Sequence, residues 1–221
     1  IRFKENTDGT FETPVGKKDT LVLNDDGTYS LNGKCSSCSG RDVPEYRFRN
    51  DGSLESVSDL NGNMVTIQYN PDGRIERVLD ANNRAITFSY GDNGRVETIE
   101  DFSDPVRIWT YTYDEQDNLL SVTFPDDSKI QYRYDADHNL IEIRDEQDLP
   151  ITAMIYGEGH KLEKFTDRGG EYQIGYDPEN QVTSKTDPEG NLFEFKFDDN
   201  GNITNKTTPQ GINLKLSWDA D

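Results

Sequence analysis

Few residues in this chain could do chemistry, and each sits in a pattern that offers a plainer reading. Cys35-Ser36-Ser37-Cys38 carries both cysteines of the 221-residue chain. The spacing suits a redox dithiol, half of a zinc site or a short disulfide loop. A redox dithiol needs a helix N-terminus to stabilise its thiolate, and no helical periodicity is present. A closed zinc site needs four ligands, and the two histidines stand about a hundred residues away. A disulfide between Cys35 and Cys38, or two free thiols, is the favoured reading, with a metal shared across an interface behind it.

His138 and His160 occupy the same place in a recurring turn, where other copies carry Gly73, Gly94, Asp117, Asn180 or Gly201. Histidine is enriched among non-glycine residues at positive φ, so both read as turn residues rather than as bases or ligands. The 43 Asp and Glu residues raise paired-acid catalysis, but the aspartates recur periodically and no acidic pair breaks the period. Acidic turns such as Asp198-Asp199-Asn200-Gly201 offer calcium at most a weak site, because EF-hand spacing with its bidentate Glu is absent. Asn202-Ile203-Thr204 and Asn205-Lys206-Thr207 fit the glycosylation sequon, which matters only in a eukaryotic secretory setting. The sequence shows no phosphate loop, Ser-His-Asp set or basic-aromatic patch. The expectation is a chain that is not an enzyme, with no catalytic, cofactor-binding or metal residues and no cofactor beyond weak calcium.

What positions these residues is a repeat. Tyr69, Tyr90, Tyr113, Tyr134, Tyr156, Tyr176, Phe197 and Trp218 recur every 20–23 residues, and Phe48 opens the series. With this aromatic as position zero, positions −4, −2 and 0 are apolar or aromatic (Val65/Ile67/Tyr69, Ile86/Phe88/Tyr90, Phe193/Phe195/Phe197), and the residues between are mostly polar. That alternation marks a strand with one buried face. Aliphatics follow at +6 and +9, as in Ile75/Val78 and Leu140/Ile143, a spacing of three that predicts a bulge or strong twist. At Lys185 and Lys206 the +9 position is charged, and looser packing is expected there. Asp is common at +1 and +11, with Gly, Asn or Asp at +14, the residues of tight turns. Each repeat is therefore strand, turn, strand, turn, with a longer loop around Pro105. Residues 46–221 read as about eight repeats, the last truncated. Residues 1–45 are less regular and read as a β-rich lead-in or capping segment.

Only 32% of residues are hydrophobic, but 10% are aromatic, so the core is expected to be a thin aromatic layer. The net charge of −20 sets aside nucleic acid and anionic membrane surfaces as partners. No run of 18 apolar residues suggests membrane insertion. The chain opens at Ile1 without a signal peptide and closes inside a repeat, which reads as a piece of something longer.

The motifs Tyr69-Asn70-Pro71-Asp72-Gly73-Arg74-Ile75, Tyr113-Asp114 through Leu119 and Phe197-Asp198 through Ile203 resemble the YD (RHS) repeat of bacterial polymorphic toxins, toxin-complex C components, wall-associated proteins and teneurins. The resemblance covers about residues 46–221. It implies an all-β fold of tandem antiparallel hairpins forming a spiralling strip, here an open arc, of the kind that encloses a C-terminal effector. The chain lacks the core segment where such proteins carry their self-cleaving aspartates. Asp187-Pro188-Glu189-Gly190 only superficially resembles it and falls at an ordinary turn. The function expected is a structural segment of a secreted or cell-surface protein, whose partners are other segments of a longer parent chain and its effector or surface module. An adhesion or self-assembling module, binding glycan or protein or pairing through strand edges, is the alternative; a hydrolase or self-cleaving protease comes after it.

Overall fold

A computed structural model describes residues 3–7, 10–12, 19–32 and 45–218. Cys35 and Cys38 lie outside the described residues. The chain divides into two compact units, Ile1–Trp109 and Thr110–Ala220.

In the first unit the strands Thr20–Leu23, Tyr29–Asn32, Glu45–Phe48, Leu54–Ser58, Met64–Tyr69, Ile75–Leu79, Ala85–Tyr90 and Val96–Glu100 each pair antiparallel with the next. Lys4–Glu5 and Phe11–Glu12 form a separate two-stranded pair. Phe11 meets the Tyr29 ring edge-on at 5.9 Å. The second unit continues the rhythm by itself. From Thr110 of Ile108–Tyr113 it runs through Leu119–Thr123, Lys129–Tyr134, Leu140–Arg144, Pro150–Tyr156, Leu162–Asp167, Gly170–Asp177, Val182–Thr186, Leu192–Phe197 and Ile203–Thr207 to Asn213–Lys215. One 3-10 turn, Glu158–His160, interrupts the strands. Among the described residues, neither unit pairs its first strand with its last.

The bulge expected between +6 and +9 is present. Tyr69 pairs with Ile75 and Gln68 with Arg77, so Glu76 is skipped. The same shift recurs at Tyr90/Val96, Tyr134/Leu140, Tyr156/Leu162 and Phe197/Ile203. Skipping one residue returns +9 to the face of +6, which is how a spacing of three serves one apolar side. Position −2 then meets +9 across the hairpin, as in Ile67↔Val78 and Tyr111↔Val122.

Each unit is a single layer, so burial is shallow. Among described hydrophobic residues only Ile67 and Val122 fall to 8% exposure. At Lys185 and Lys206 the looser packing expected from the sequence is replaced by a different contact. Phe165 and Tyr172 stack at 4.6 Å, and the Lys185 ammonium lies 4.4 Å from the Tyr172 centroid. Lys206 sits 5.6 Å from the Phe195 centroid. A lysine covers apolar area with its stem and places its charge over a ring, so it substitutes for an aliphatic in a layer that water can reach.

The loop near Pro105 is longer, as expected: the Asp101 N–H reaches the Arg107 carbonyl at 3.1 Å, whereas the Asp80 N–H reaches Arg84, only four residues on. Elsewhere the turns need left-handed backbone, for which Gly73 has φ +77° with open space where a Cβ would stand. Gly73→Ala should therefore lower the stability of the first unit by ~1 kcal/mol through backbone strain alone. Urea unfolding checks this, and unchanged or raised stability would contradict it.

Candidate functional site

The residues that define the repeat converge at the turn ending each hairpin and at the aromatic beside it. In the regular turn the +1 N–H donates to the +5 carbonyl and the +4 N–H returns to the +1 carbonyl; Asn70→Arg74 (2.8 Å) and Gly73→Asn70 (3.0 Å) show the pattern. The +1 side chain completes it. Asp114 Oδ1 accepts the N–H groups of Gln116 (2.9 Å) and Asn118 (2.8 Å), while Asn118 Nδ2 donates to Asp114 Oδ2 at 2.9 Å. Asp135 with Asn139 repeats this set. The turn at +11 is built alike: Asp59 and Asp187 each accept two turn N–H groups and the side-chain amide of Asn63 or Asn191. One turn chemistry thus serves both ends of the strands. Asp187-Pro188-Glu189-Gly190 is one of its copies, with Gly190 N–H on the Asp187 carbonyl at 2.9 Å.

Donors aimed at a carboxylate favour its charged form. The asparagine side chains first, and the turn N–H groups with them, hold Asp59, Asp114, Asp135 and Asp187 below the usual carboxylate range, against an opposing effect of burial.

The aromatic at position zero has a role the sequence did not reveal. Tyr69 Oη donates to the Leu54 carbonyl (2.7 Å), Tyr90 to Ile75 (2.6 Å), Tyr156 to Leu140 (3.0 Å) and Tyr176 to Leu162 (3.0 Å). Trp218 Nε1 does the same to Ile203 at 2.8 Å. Each acceptor is the +6 residue of the preceding repeat. The following strand begins its pairing only at +8, as in Arg77↔Thr87 and Lys164↔Gln173, which leaves the +6 carbonyl without a strand partner. The phenol hydroxyl is therefore a tie between hairpins. The signal in the sequence was the choice of Tyr over Phe.

Phe197, which has no hydroxyl, also fits this account. The hairpin before it is unbulged: Tyr176 pairs with Thr183, and Val182, at +6, pairs directly with Lys196. The Phe197 N–H donates to the Gln181 carbonyl at 2.9 Å. A hydroxyl at 197 would have no open carbonyl to meet. Tyr113 holds position zero at the start of the second unit. At Tyr134, burial first, and then the nearby Tyr132 and Asp114, push the phenol above its ordinary pKa.

The histidines stand in successive turns rather than in one site, with φ of 62° and 58°. His138 Nδ1 bonds Asn118 Oδ1 at 2.8 Å and His160 Nδ1 bonds Asn139 Oδ1 at 3.1 Å. Among the described residues no group of three or more His, Cys, Asp or Glu side chains is placed to hold a metal. Several rings are covered by cations: Arg49 lies 4.3 Å above Tyr69, Arg74 5.5 Å above Tyr90 and Lys161 5.4 Å above Tyr176.

Tyr69→Phe should cost the first unit about 1 kcal/mol by leaving the Leu54 carbonyl unpaired, whereas Phe197→Tyr should gain nothing in the second. Denaturant titration of the two variants decides it; a stabilising Phe197→Tyr would break the account. The aspartates set a pH dependence of known sign. Their folded values lie below the unfolded ~3.9, so their stabilisation is complete above that pH and is lost as pH falls through the folded values. Melting temperature should fall from about pH 4 downward. Asp135→Asn, which matches the natural Asn70 turn, should flatten that slope, and a melting temperature rising into acid would contradict the assignment.

A family model of the RHS repeat matches residues 113–150 and 176–212. No curated protein matches the chain in sequence. In fold the chain is similar to a crystal structure of TcdB2-TccC3, with a TM-score of 0.55 at 12% identity over 94% of this chain and 14% of that one. It is also similar to one of TcdB2-TccC3-TEV, with a TM-score of 0.52 at 12% identity over 93% of this chain and 11% of that one. The chain thus spans about a seventh or less of those structures. The matched model identifies residues 113–150 and 176–212 as RHS (YD) repeats, and the same hairpins and turns recur in the strands outside them.

Proposed function

We propose that this is a non-enzymatic structural segment of a secreted or cell-surface RHS-repeat protein, contributing hairpins to a β-shell that encloses or displays an effector module. The observation that carries the reading is where the repeat's polar groups go. Phenol hydroxyls bind carbonyls of the preceding hairpin, aspartates bind their own turn amides, and both imidazoles bind asparagines. Among the described residues, these groups are engaged in holding the ladder together. The reading includes no cofactor: Asp198, in the most calcium-like turn, already accepts from Asn200 and Asn202.

The apolar face gives the ladder something to present, with Val65 and Ile86 exposed at 40% and 39%. Likeness of fold to TcdB2-TccC3 structures, whose chains are far longer, supports membership of a larger shell. Glycan stacking is disfavoured by the cations over Tyr69, Tyr90 and Tyr176, which occupy ring faces a sugar would need. Self-assembly is the second reading, and one observation favours it. Asn213–Lys215 pairs on one side only among the described residues, and Leu214 and Leu216 beside that edge are 51% and 46% exposed.

Cryo-EM of the parent protein, with the sequence flanking both ends, tests the choice. Density enclosed against the apolar face is the expected result. Copies paired edge to edge with nothing enclosed would overturn encapsulation in favour of assembly.

A further inference from the structure

Three of the non-glycine residues at positive φ in the second unit reach a neighbouring turn along one edge. His138 bonds Asn118, His160 bonds Asn139, and Gln181 Nε2 bonds Asp199 Oδ1 at 2.6 Å. The corresponding Gly201 has no side chain with which to do so. The left-handed residue thus binds the preceding turn at His138 and His160 (+4) and the following turn at Gln181 (+5), whereas glycine serves conformational ease alone.

The direction of the histidine bonds is fixed by their partners. Asn118 Nδ2 is committed to Asp114 Oδ2, and Asn139 Nδ2 to Asp135 Oδ2, each at 2.9 Å. The oxygen of each asparagine therefore faces the ring, and Nδ1 must donate. A neutral imidazole can do this only as its Nδ1–H tautomer, leaving Nε2 as an acceptor. An imidazolium donates from Nδ1 in every case and adds a positive charge.

That charge would enter acidic surroundings. The turn before His138 carries Asp114, Glu115 and Asp117, its own carries Asp135 and Asp137, and the one after carries Glu158 and Lys161. His160 has Asp135 and Asp137 before it, Glu158 and Lys161 in its own turn, and Asp177 and Glu179 after it. Lys161 is the one cation in these turns, and its ammonium lies over the Tyr176 ring.

We propose that the left-handed turn position is a clamp between hairpins, and that His138 and His160 make the edge from Asp114 to His160 pH-responsive, tighter when the rings are protonated. Histidine is the side chain whose ordinary titration falls between pH 5 and 8, and the chain has two, both in these clamps.

Hydrogen exchange of the full chain at pH 5.5 and 7.5, corrected for intrinsic rates, tests this. Turn amides of residues 114–118 and 135–139 should be about two- to fivefold better protected at the lower pH, the scale of an exposed charge pair, while those of residues 198–202 should not change. The double variant His138→Gln and His160→Gln, which keeps a donor without a titrating group, should retain protection but lose its pH dependence. His138→Gly should lose the protection at residues 114–118 at both pH values. Equal protection of the native chain at the two pH values, or a pH dependence that survives the glutamine substitutions, would overturn the proposal.

Discussion

The structure depends on a carbonyl left open at the bulge and met from the next hairpin, at Leu54, Ile75, Leu140, Leu162 and Ile203. A bulge places +6 and +9 on the same face, and because the next strand begins its pairing at +8, the +6 carbonyl is left without a strand partner. A peptide carbonyl left without a strand partner gains stability from a donor that meets it. The tyrosine at position zero is that donor, reaching across from the next hairpin. Bulge, period and aromatic are therefore one device. Where the device is present, a hairpin supplies a carbonyl to its successor, which returns a phenol O–H or, at Trp218, an indole N–H.

A single layer cannot draw stability from a deep core, and the molecule uses short-range substitutes. Turns close on their own aspartates, lysines lie over rings where an aliphatic would otherwise pack, and side chains at left-handed positions bind adjacent turns. Contacts of this kind are local, which suits a repeat protein in which each unit depends on its neighbours. The acidity is compatible with that design. The carboxylates in the turns are held in their charged form by the donors around them.

Much of the fold was legible in the sequence because its signals are periodic. Alternation at −4, −2 and 0 located the strands, the three-residue step from Ile75 to Val78 located the bulge, and the shared position of His138 and His160 with Gly73 marked them as turn residues. What was not legible was pairing between repeats. Whether a phenol faces solvent or a carbonyl depends on where the following strand starts to pair, and no spacing within one repeat encodes that. Lys185 was misjudged for a related reason: one of its packing partners, Phe165, belongs to the preceding hairpin. The same limit applies to His138, whose position was readable while its bond to Asn118 was not.

Neutron diffraction from a deuterated crystal would test the central claim most directly, because it locates the hydrogens of the phenols. The account predicts the deuteroxyls of Tyr69, Tyr90, Tyr156 and Tyr176 pointing at the carbonyls of Leu54, Ile75, Leu140 and Leu162, with the Val182 carbonyl placed within its strand ladder. Deuteroxyls turned to solvent, with water on those carbonyls, would contradict it.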